Sequence, residues 1–378
     1  KTGIRIAGEL RRMGMEVQTR VGNTGVVGIL KGDLPGPVVA IRADIDALPV
    51  TERGDLPFAS KMVSENNGIK TGVMHACGHD GHIAIALGTA EVLSKMKSEL
   101  KGTVKFIFQP AEEGVPIGEE GGAKMMVKEG VLENPDVDAI FGLHVMAGLK
   151  TGQIGYRSAG IMASSDRFII KIKGKQTHGS TPWGGIDPIV TAAQIINNLQ
   201  TIVSRYTPLT DNIAVVSVGM IKAGNRYNII PEEVEIVGTV RTLDPQLQKE
   251  IHDRIKLIAT NTAESNGATA EISIENLAPV TYNDPTLTTM MIPTLEKVVG
   301  KENANINNPT TAAEDFSFFQ QKVPGMYFFL GVSTTGEDKN SGFAGHHSPD
   351  FKMNEDALII GVRALTNLTL DYMDAPLK

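Results

Sequence analysis

The feature that most constrains the fold of this chain is a change in its pattern of strands and helices near residue 164. Before that point, short apolar segments typical of buried strands, such as 38–45 and 104–108, alternate with helical segments such as 83–100. Strands that alternate with helices indicate an α/β layer built on a largely parallel sheet. The alternation resumes after Pro279, so the two outer parts of the chain are predicted to form one domain.

The segment between these parts has a different order, β-α-β-β-α-β, which is that of a ferredoxin-like unit. Its strands are predicted at 166–173, 213–220, 233–240 and 269–275, and its helices at 187–203 and 245–266. We therefore predict a main α/β domain, with helices on both faces of its sheet, formed by residues 1–163 and 277–378. A compact α+β domain, residues 164–276, is inserted into it, which domains with close termini tolerate.

Composition excludes several classes of function. The 378 residues carry 36 Lys and Arg against 43 Asp and Glu, a net charge of −7 without a long basic run, so no nucleic-acid partner is expected. No apolar stretch approaches the roughly 18 residues that a membrane-spanning helix needs. The chain starts without Met and within an amphipathic pattern, so upstream residues are expected. A cytoplasmic location is predicted, with a signal peptide left open.

The only cysteine, Cys77, rules out an intrachain disulfide and leaves a buried filler, a reactive thiol or a metal ligand. It lies among three histidines in MHACGHDGH (74–82), a glycine-containing turn ahead of the helix predicted at 83–100. Cys77 and His79 can converge on one divalent ion, because the glycines let the backbone bend sharply around it. We favour a metal site over a polar helix terminus.

Further side chains suited to metal binding follow other predicted strands: Asp44, Asp46, Glu112, Glu113, His144, His346 and His347. Consecutive residues on an extended segment point to opposite sides, so Glu112 and Glu113 are predicted to divide two tasks. One carboxylate holds a metal, and its neighbour takes a proton from the activated water. The alternatives are a solvated acidic loop for the glutamates and a satisfied core histidine for His144.

Eight motifs together resemble the metal-dependent aminoacylase and carboxypeptidase family, and they occur in the family's order over nearly the whole chain. The nearest branch is that of hippurate hydrolase and the plant auxin-conjugate amidohydrolases. The motifs are RADIDALP (42–49), MHACGHDGH (74–82), QPAEEG (109–114), GLHV (142–145), HGSTPWGGIDP (178–188), NIIPEEVEIVGTVRTLD (228–244), AEDFSFF (313–319) and HHSPDF (346–351).

The resemblance implies a set of site residues. Five side chains match the protein ligands of a two-metal site: Cys77, His79, Glu113, His144 and His347. Of the two adjacent histidines the second is chosen, because the family's ligand directly precedes the Ser-Pro. Glu112 matches the general base, and Asp44 matches a carboxylate that orients ligands.

The resemblance also assigns roles within the inserted domain. His178 matches a histidine that stabilises the developing oxyanion, often in the active site of a dimer partner. Asn228 and Arg241 match residues thought to hold the substrate's carboxylate, a task that suits the arginine fork. The family implies that the inserted domain acts as a lid and a dimerisation domain, so a homodimer or higher homo-oligomer is expected.

These observations predict an amidohydrolase that cleaves the amide bond of N-acyl amino acids, such as N-acetyl or N-aroyl amino acids, with two divalent metal ions per subunit. Manganese is expected from the family, whereas the thiolate favours zinc or nickel, and cobalt is a further alternative. Two alternatives stay open. One is a carboxypeptidase, dipeptidase or biosynthetic deacetylase on the same scaffold, and the other is a metal-binding module without catalysis.

Overall fold

The computed structural model describes residues 1–54, 56–66, 68–115, 119–210, 212–333 and 344–377. Its contacts divide the chain into two compact units. The first comprises Lys1–Ile161, Tyr282–Asn308 and Asp315–Lys378, and the second comprises Met162–Thr281 and Pro309–Glu314. No helix in the described ranges is both long and apolar enough to cross a membrane.

The described part of the chain begins with α1 (Thr2–Arg12), β1 (Glu16–Val21), β2 (Gly25–Lys31), β3 (Leu34–Asp44), β4 (Val63–Asn66), β5 (Ile69–Gly72), α2 (His79–Lys95), β6 (Lys101–Gln109), α3 (Gly122–Lys128), β7 (Ala139–Lys150), β8 (Ile154–Tyr156) and β9 (Ala159–Met162). The second unit contributes β10 (Ser165–Lys173), β11 (Thr177–His178), α4 (Pro188–Thr201), β12 (Ala214–Ala223), β13 (Ile229–Ile230), β14 (Glu233–Thr242), α5 (Pro245–Ser265) and β15 (Thr269–Ala278). The chain ends with β16 (Thr281–Asn283), α6 (Pro285–Val299), β17 (Ala304–Ile306), α7 (Ser317–Gln320), β18 (Gly325–Ser333) and α8 (Asp356–Asp374).

The predicted α/β sheet is confirmed in the first unit. Its eight strands run in the order β1-β2-β6-β3-β7-β18-β8-β17. The four central strands, β6, β3, β7 and β18, pair in parallel, whereas β1, β2 and β8 add antiparallel pairings. Strand β18 comes from the last part of the chain and pairs with β7 from the first, so both outer segments build one sheet.

Both faces of this sheet are buried. On β6, Phe106 and Phe108 join a core with residues of α1, α2, α6 and α8. Ile107 between them is also fully buried and, as its neighbour on the strand, points to the opposite face. The sequence of a central parallel strand is a continuous run of apolar residues, because neither face of the strand meets water.

The second unit holds a four-stranded antiparallel sheet in the order β12-β14-β10-β15. With α4 and α5 it follows the β-α-β-β-α-β order expected from the sequence. Its helices begin at proline residues preceded by aspartate caps: Asp187 accepts from the amides of Ile189 and Val190, and Asp244 accepts from that of Leu247. A separate core of its own lies between sheet and helices, built around Phe168, Ile195 and Ile255 among others.

The prediction for α2 was wrong at its start. The helix begins at His79, four residues before the predicted position, because Gly78 adopts a left-handed conformation with φ of 91° and turns the chain directly into the helix. It ends at Lys95 rather than residue 100. As a result, His79 and His82 belong to the first helical turns and not to a turn ahead of them.

Candidate metal centre

The candidate centre lies in the first unit, where three segments meet beyond the carboxyl end of β3. Strand β3 ends at Asp44, and the turn before α2 carries Cys77. The backbone amide of His347 donates to the carbonyl of Ala76 at 2.8 Å, which brings the distant HHSP segment beside this turn. His347 itself adopts a left-handed φ of 64°. Cys77 and His347, which are 270 positions apart in sequence, are thereby held side by side.

Cys77 is at the middle of this centre. Its Sγ lies 3.4 Å from Nε2 of His144 and 3.3 Å from Nε2 of His347. Two groups of ligand atoms share this thiol, Cys77–His79–His144 and Cys77–Glu113–His347, and within each group all atoms lie within 4.8 Å of one another. These two groups would suffice to hold two ions, and the set of sulfur, imidazole and carboxylate suits divalent transition metals.

The imidazoles are oriented as metal ligands require. Nδ1 of His144 donates to the carbonyl of Val145 at 2.6 Å, and Nδ1 of His79 donates to that of Asp46 at 3.1 Å. In its neutral form, each ring therefore presents an unprotonated Nε2 to the centre. Nε2 of His79 is buried and has no hydrogen-bond partner in the part of the chain that the structure describes. A buried nitrogen left without a partner is costly, and a metal ion would satisfy it.

The two glutamates do not lie on an extended segment, so the prediction that they point to opposite sides was wrong. Strand β6 ends at Gln109, and Ala111 takes a left-handed φ of 55°, so Glu112 and Glu113 lie in a turn. Carboxylate oxygens of both, with a ring nitrogen of His79, lie within 4.8 Å of one another. The turn brings both carboxylates to one side, where they can still differ in task.

Each carboxylate has different neighbours. Oε1 of Glu113 lies 3.0 Å from Nε2 of His347, and its backbone amide donates to Asp46 at 3.0 Å. Oε2 of Glu112 lies 3.9 Å from Nε2 of His79. Glu113 therefore belongs to a group with Cys77, whereas Glu112 stands beside His79 and outside both groups that contain the thiol.

Two further histidines at the centre, His82 and His346, are oriented by backbone amides. Nε2 of His82 accepts from the amide of Val145 at 2.9 Å, and Nε2 of His346 accepts from that of Ala147 at 3.1 Å. Both Nε2 atoms already accept a hydrogen bond from the backbone. Neither can therefore bind a metal ion in the way proposed for Nε2 of His79 and of His144. Burial and the nearby His82 lower the pKa of His346 to about 4, which keeps it neutral.

Asp44 is fully buried beside the candidate ligands and holds neighbouring side chains in place through hydrogen bonds. It accepts from Nδ1 of His82 at 2.5 Å and from Nη1 of Arg42 at 2.8 Å. Burial opposes its ionisation, but its interactions with His79, His82 and Arg42 outweigh burial and hold the pKa of Asp44 well below its usual range. The carboxylate is therefore charged and fixes the direction of His82.

Burial and nearby carboxylates also shift the pKa values of two candidate ligands, His79 and Cys77. Burial opposes protonation of His79, but Asp44 and Asp46 outweigh it and raise its pKa to about 9. Burial, followed by the carboxylates of Glu113 and Glu112, raises the pKa of the Cys77 thiol. This concentration of carboxylates favours positive charge in the centre, and a divalent ion would replace the protons of both ligands.

Three predicted residues lie in the second unit. Strands β11 and β13 pair with His178 opposite Ile229, and the amide of Gly179 donates to the carbonyl of Asn228 at 2.8 Å, so His178 and Asn228 are neighbours. Arg241 lies on β14 of the four-stranded sheet, and no described hydrogen bond joins it to either residue. Its Nη1 donates to Thr239 Oγ1 at 2.5 Å and to the carbonyl of Val240 at 2.8 Å.

The sequence did not identify Arg42 and His82 as hydrogen-bond partners of Asp44. Arg42 is fully buried, and its guanidinium also donates to Oδ1 of Asp315 at 2.9 Å and to Oε1 of Gln109 at 2.8 Å. The alternation of Arg42 and Asp44 on one strand signals this pair, because residues two apart point to the same side. His82 could have been found as the residue one helical turn after His79.

The chain is similar to known proteins over most of its length. The model of Peptidase family M20/M25/M40 matches residues 40–371. N-acetylcysteine deacetylase of Bacillus subtilis (strain 168) is 40% identical over 351 residues, covering 93% of this chain and 86% of that protein. Thermostable carboxypeptidase 2 of Saccharolobus solfataricus is 40% identical over 369 residues, covering 97% of this chain and 89% of that protein.

A solved structure is similar in fold over nearly the whole chain. The crystal structure of the YXEP protein of Bacillus subtilis, a dinuclear metal binding peptidase, has a TM-score of 0.80 with 36% sequence identity. The match covers 99% of this chain and 92% of that one. In this chain, the clustered ligand atoms support two divalent ions. From the family model, the relatives and the fold together, the chain belongs to Peptidase family M20/M25/M40, whose members are metal-dependent hydrolases.

Proposed function

We propose that the protein hydrolyses the amide bond of N-acyl amino acids with two divalent metal ions. The observation that carries this proposal is the grouping of ligand atoms around Cys77, with the carboxylate of Glu112 next to them but outside both groups that contain the thiol. A site that only stores metal needs no such additional carboxylate. A hydrolase needs it as a general base close to the activated water.

Five side chains would hold the ions: Cys77, His79, Glu113, His144 and His347. When bound, divalent ions supply Lewis acidity, which lowers the pKa of water and polarises a carbonyl group. We infer manganese from the family resemblance, with zinc, nickel and cobalt as the alternatives. The thiolate of Cys77 is the ligand that favours zinc or nickel over manganese.

The remaining roles belong to protein side chains. Glu112 takes a proton from the attacking water and returns it to the nitrogen of the leaving amine. Asp44 keeps His82 and the surrounding ligands in position through its buried hydrogen bonds. In the second unit, His178 donates a hydrogen bond to the acyl oxygen as negative charge develops there. Asn228 and Arg241 bind the carboxylate of the amino acid.

The substrate class rests on the relatives. Two are named for the hydrolysis of acylated amino acids: the N-acetylcysteine deacetylase described above and the IAA-amino acid hydrolase ILR1-like 5 of Arabidopsis thaliana, which is 38% identical over 97% of this chain and 80% of that protein. The similarity to a carboxypeptidase favours cleavage of a C-terminal peptide bond as the second candidate. Both reactions release an amino acid with a free carboxylate.

We also propose that the protein forms a homodimer or higher homo-oligomer through its second unit. Strand β12 lies at an edge of the four-stranded sheet and exposes the apolar side chains of Met220 and Ile221. An edge strand offers unpaired backbone groups to another chain. Sedimentation equilibrium should give twice the chain mass or more, and a monomer at micromolar concentration would contradict this proposal.

The function is tested by measuring amino-acid release from N-acetyl, N-benzoyl and dipeptide substrates. The protein is stripped with a chelator and then reloaded separately with manganese, zinc, nickel or cobalt. We expect release only after reloading, with acylated amino acids cleaved faster than dipeptides. Faster cleavage of dipeptides would favour the peptidase alternative. No release from any substrate by protein shown to hold metal would favour a metal-binding module and contradict the proposal.

A further inference from the structure

His178 is held by a short turn that also controls its ring. The amide of Thr181 donates to the carbonyl of His178 at 2.9 Å, which closes the turn over residues 178–181. Inside this turn, Ser180 faces the imidazole with two groups. Its backbone amide donates to Nδ1 of His178 at 3.1 Å, and its Oγ lies 2.7 Å from the same nitrogen.

These two contacts determine where the ring carries its proton. A backbone amide can only donate, so Nδ1 of His178 must be an acceptor and must be unprotonated. The hydroxyl of Ser180 then also donates to Nδ1. In a neutral imidazole the proton lies on the other nitrogen, since the hydrogen bond made by one ring nitrogen sets the state of its partner. A proton on Nδ1 would instead point N–H against N–H.

We propose that Ser180 is a positioning residue that fixes His178 as the tautomer with hydrogen on Nε2. Within its own unit, Nε2 has no described hydrogen-bond partner, and the side chain is exposed. Nε2–H is then a donor ready for an incoming oxygen atom. No proton moves to or from His178 in this role, because the ring donates a hydrogen bond and keeps its proton.

The consequence for catalysis rests on the proposed function. A donor that already points its hydrogen at the developing negative charge does not have to reorient during the reaction. With hydrogen on Nδ1, His178 would offer a lone pair to the acyl oxygen and would repel it. Ser180 would therefore affect kcat, which depends on the transition state, and leave KM nearly unchanged.

The tautomer itself can be measured without any activity. Long-range proton–nitrogen correlation spectra of the metal-free protein, labelled with ¹⁵N-histidine, distinguish a protonated from an unprotonated ring nitrogen. The signal of His178 is assigned by its loss in a His178→Gln variant. We expect an unprotonated Nδ1 and a protonated Nε2 in the neutral ring. A protonated Nδ1 would overturn the proposal.

The kinetic test uses three variants of the metal-loaded enzyme. Ser180→Ala removes the hydroxyl but keeps the amide, and we expect kcat to fall about fivefold, the effect of one hydrogen bond. Ser180→Thr restores a hydroxyl and should recover kcat. Thr181→Val is the matched control, because the hydroxyl of Thr181 donates to the backbone carbonyl of His178 and not to its ring; its kcat should stay unchanged.

The two readouts separate this inference from the proposed function. An unchanged kcat in Ser180→Ala would overturn the role of the hydroxyl, and so would equal losses in Ser180→Ala and Thr181→Val. A wild-type protein that shows the Nε2–H tautomer but cleaves no substrate in the panel would contradict the proposed function and leave the tautomer assignment standing.

Discussion

Replacing Arg42 tests whether the buried charge network beneath the metal centre supports the fold. The guanidinium is fully buried and donates to two carboxylates, those of Asp44 and Asp315, and to the side-chain oxygen of Gln109. Arg42→Met keeps much of the apolar volume of the side chain but removes these hydrogen bonds. Both carboxylates then lose their buried positive partner.

The expected loss in the free energy of unfolding depends on the hydrogen bonds that Asp44 and Asp315 keep. Removing one member of a buried ion pair costs about 3–5 kcal/mol, because the charge left behind remains desolvated. Here two carboxylates are affected, but Asp315 keeps Gln109 and the amide of Ala123, and Asp44 keeps His82. We therefore expect a loss of about 4 kcal/mol in the free energy of unfolding. In a unit of this size that corresponds to a melting temperature lower by roughly 8–16 °C.

The assay is differential scanning calorimetry of the metal-free protein, so that ligand binding does not add to stability. Arg12→Met is the matched control, since Arg12 makes an ion pair with Glu9 at 2.8 Å on the exposed side of α1. An exposed pair contributes less than about 1 kcal/mol. If Arg42→Met and Arg12→Met lower the melting temperature equally, the reasoning about the buried network is refuted.

Three further substitutions follow from the same structure. Cys77→Ser replaces the proposed sulfur ligand with a hydroxyl, so metal titrations should show weaker binding, with a larger loss for zinc than for manganese. Gly78→Ala forces a side chain into a φ of 91° and into contact with Val145, so calorimetry should show a loss of about 1–2 kcal/mol or more; an unchanged melting temperature would contradict this. Lys105→Met removes a buried ammonium that donates to three backbone carbonyls at 2.7–3.1 Å and should cost about 3 kcal/mol, whereas the exposed Lys95→Met should cost almost nothing.

Much of the fold could be predicted because its signals are local. The order of strands and helices depends on apolar periodicity, and aspartate–proline pairs such as Asp187–Pro188 mark where helices begin. The error at α2 has a local cause as well. A glycine in the left-handed conformation usually ends a helix, and nothing in the sequence states that Gly78 starts one.

The centre was harder to predict, because its geometry depends on contacts between distant segments. The sequence indicates that Glu112 and Glu113 divide two tasks, but the turn at Ala111 that brings both to one side depends on backbone conformation. The choice of His347 over His346 came from family resemblance alone. The structure supplies a physical reason, because the amide of Ala147 already occupies Nε2 of His346. Arg42 was missed because a buried arginine can be recognised in a sequence only through its partners, here Asp44 two residues further along the same strand.

We propose that this centre binds two metal ions and that Glu112 acts as a base without holding them. This proposal is tested most directly by measuring metal content and turnover together in Glu112→Gln. We predict two ions per chain, as in the wild type, with kcat lower by about 10²–10⁴-fold. Loss of the metal together with turnover would show that Glu112 is a ligand, and full turnover with metal retained would contradict the mechanism.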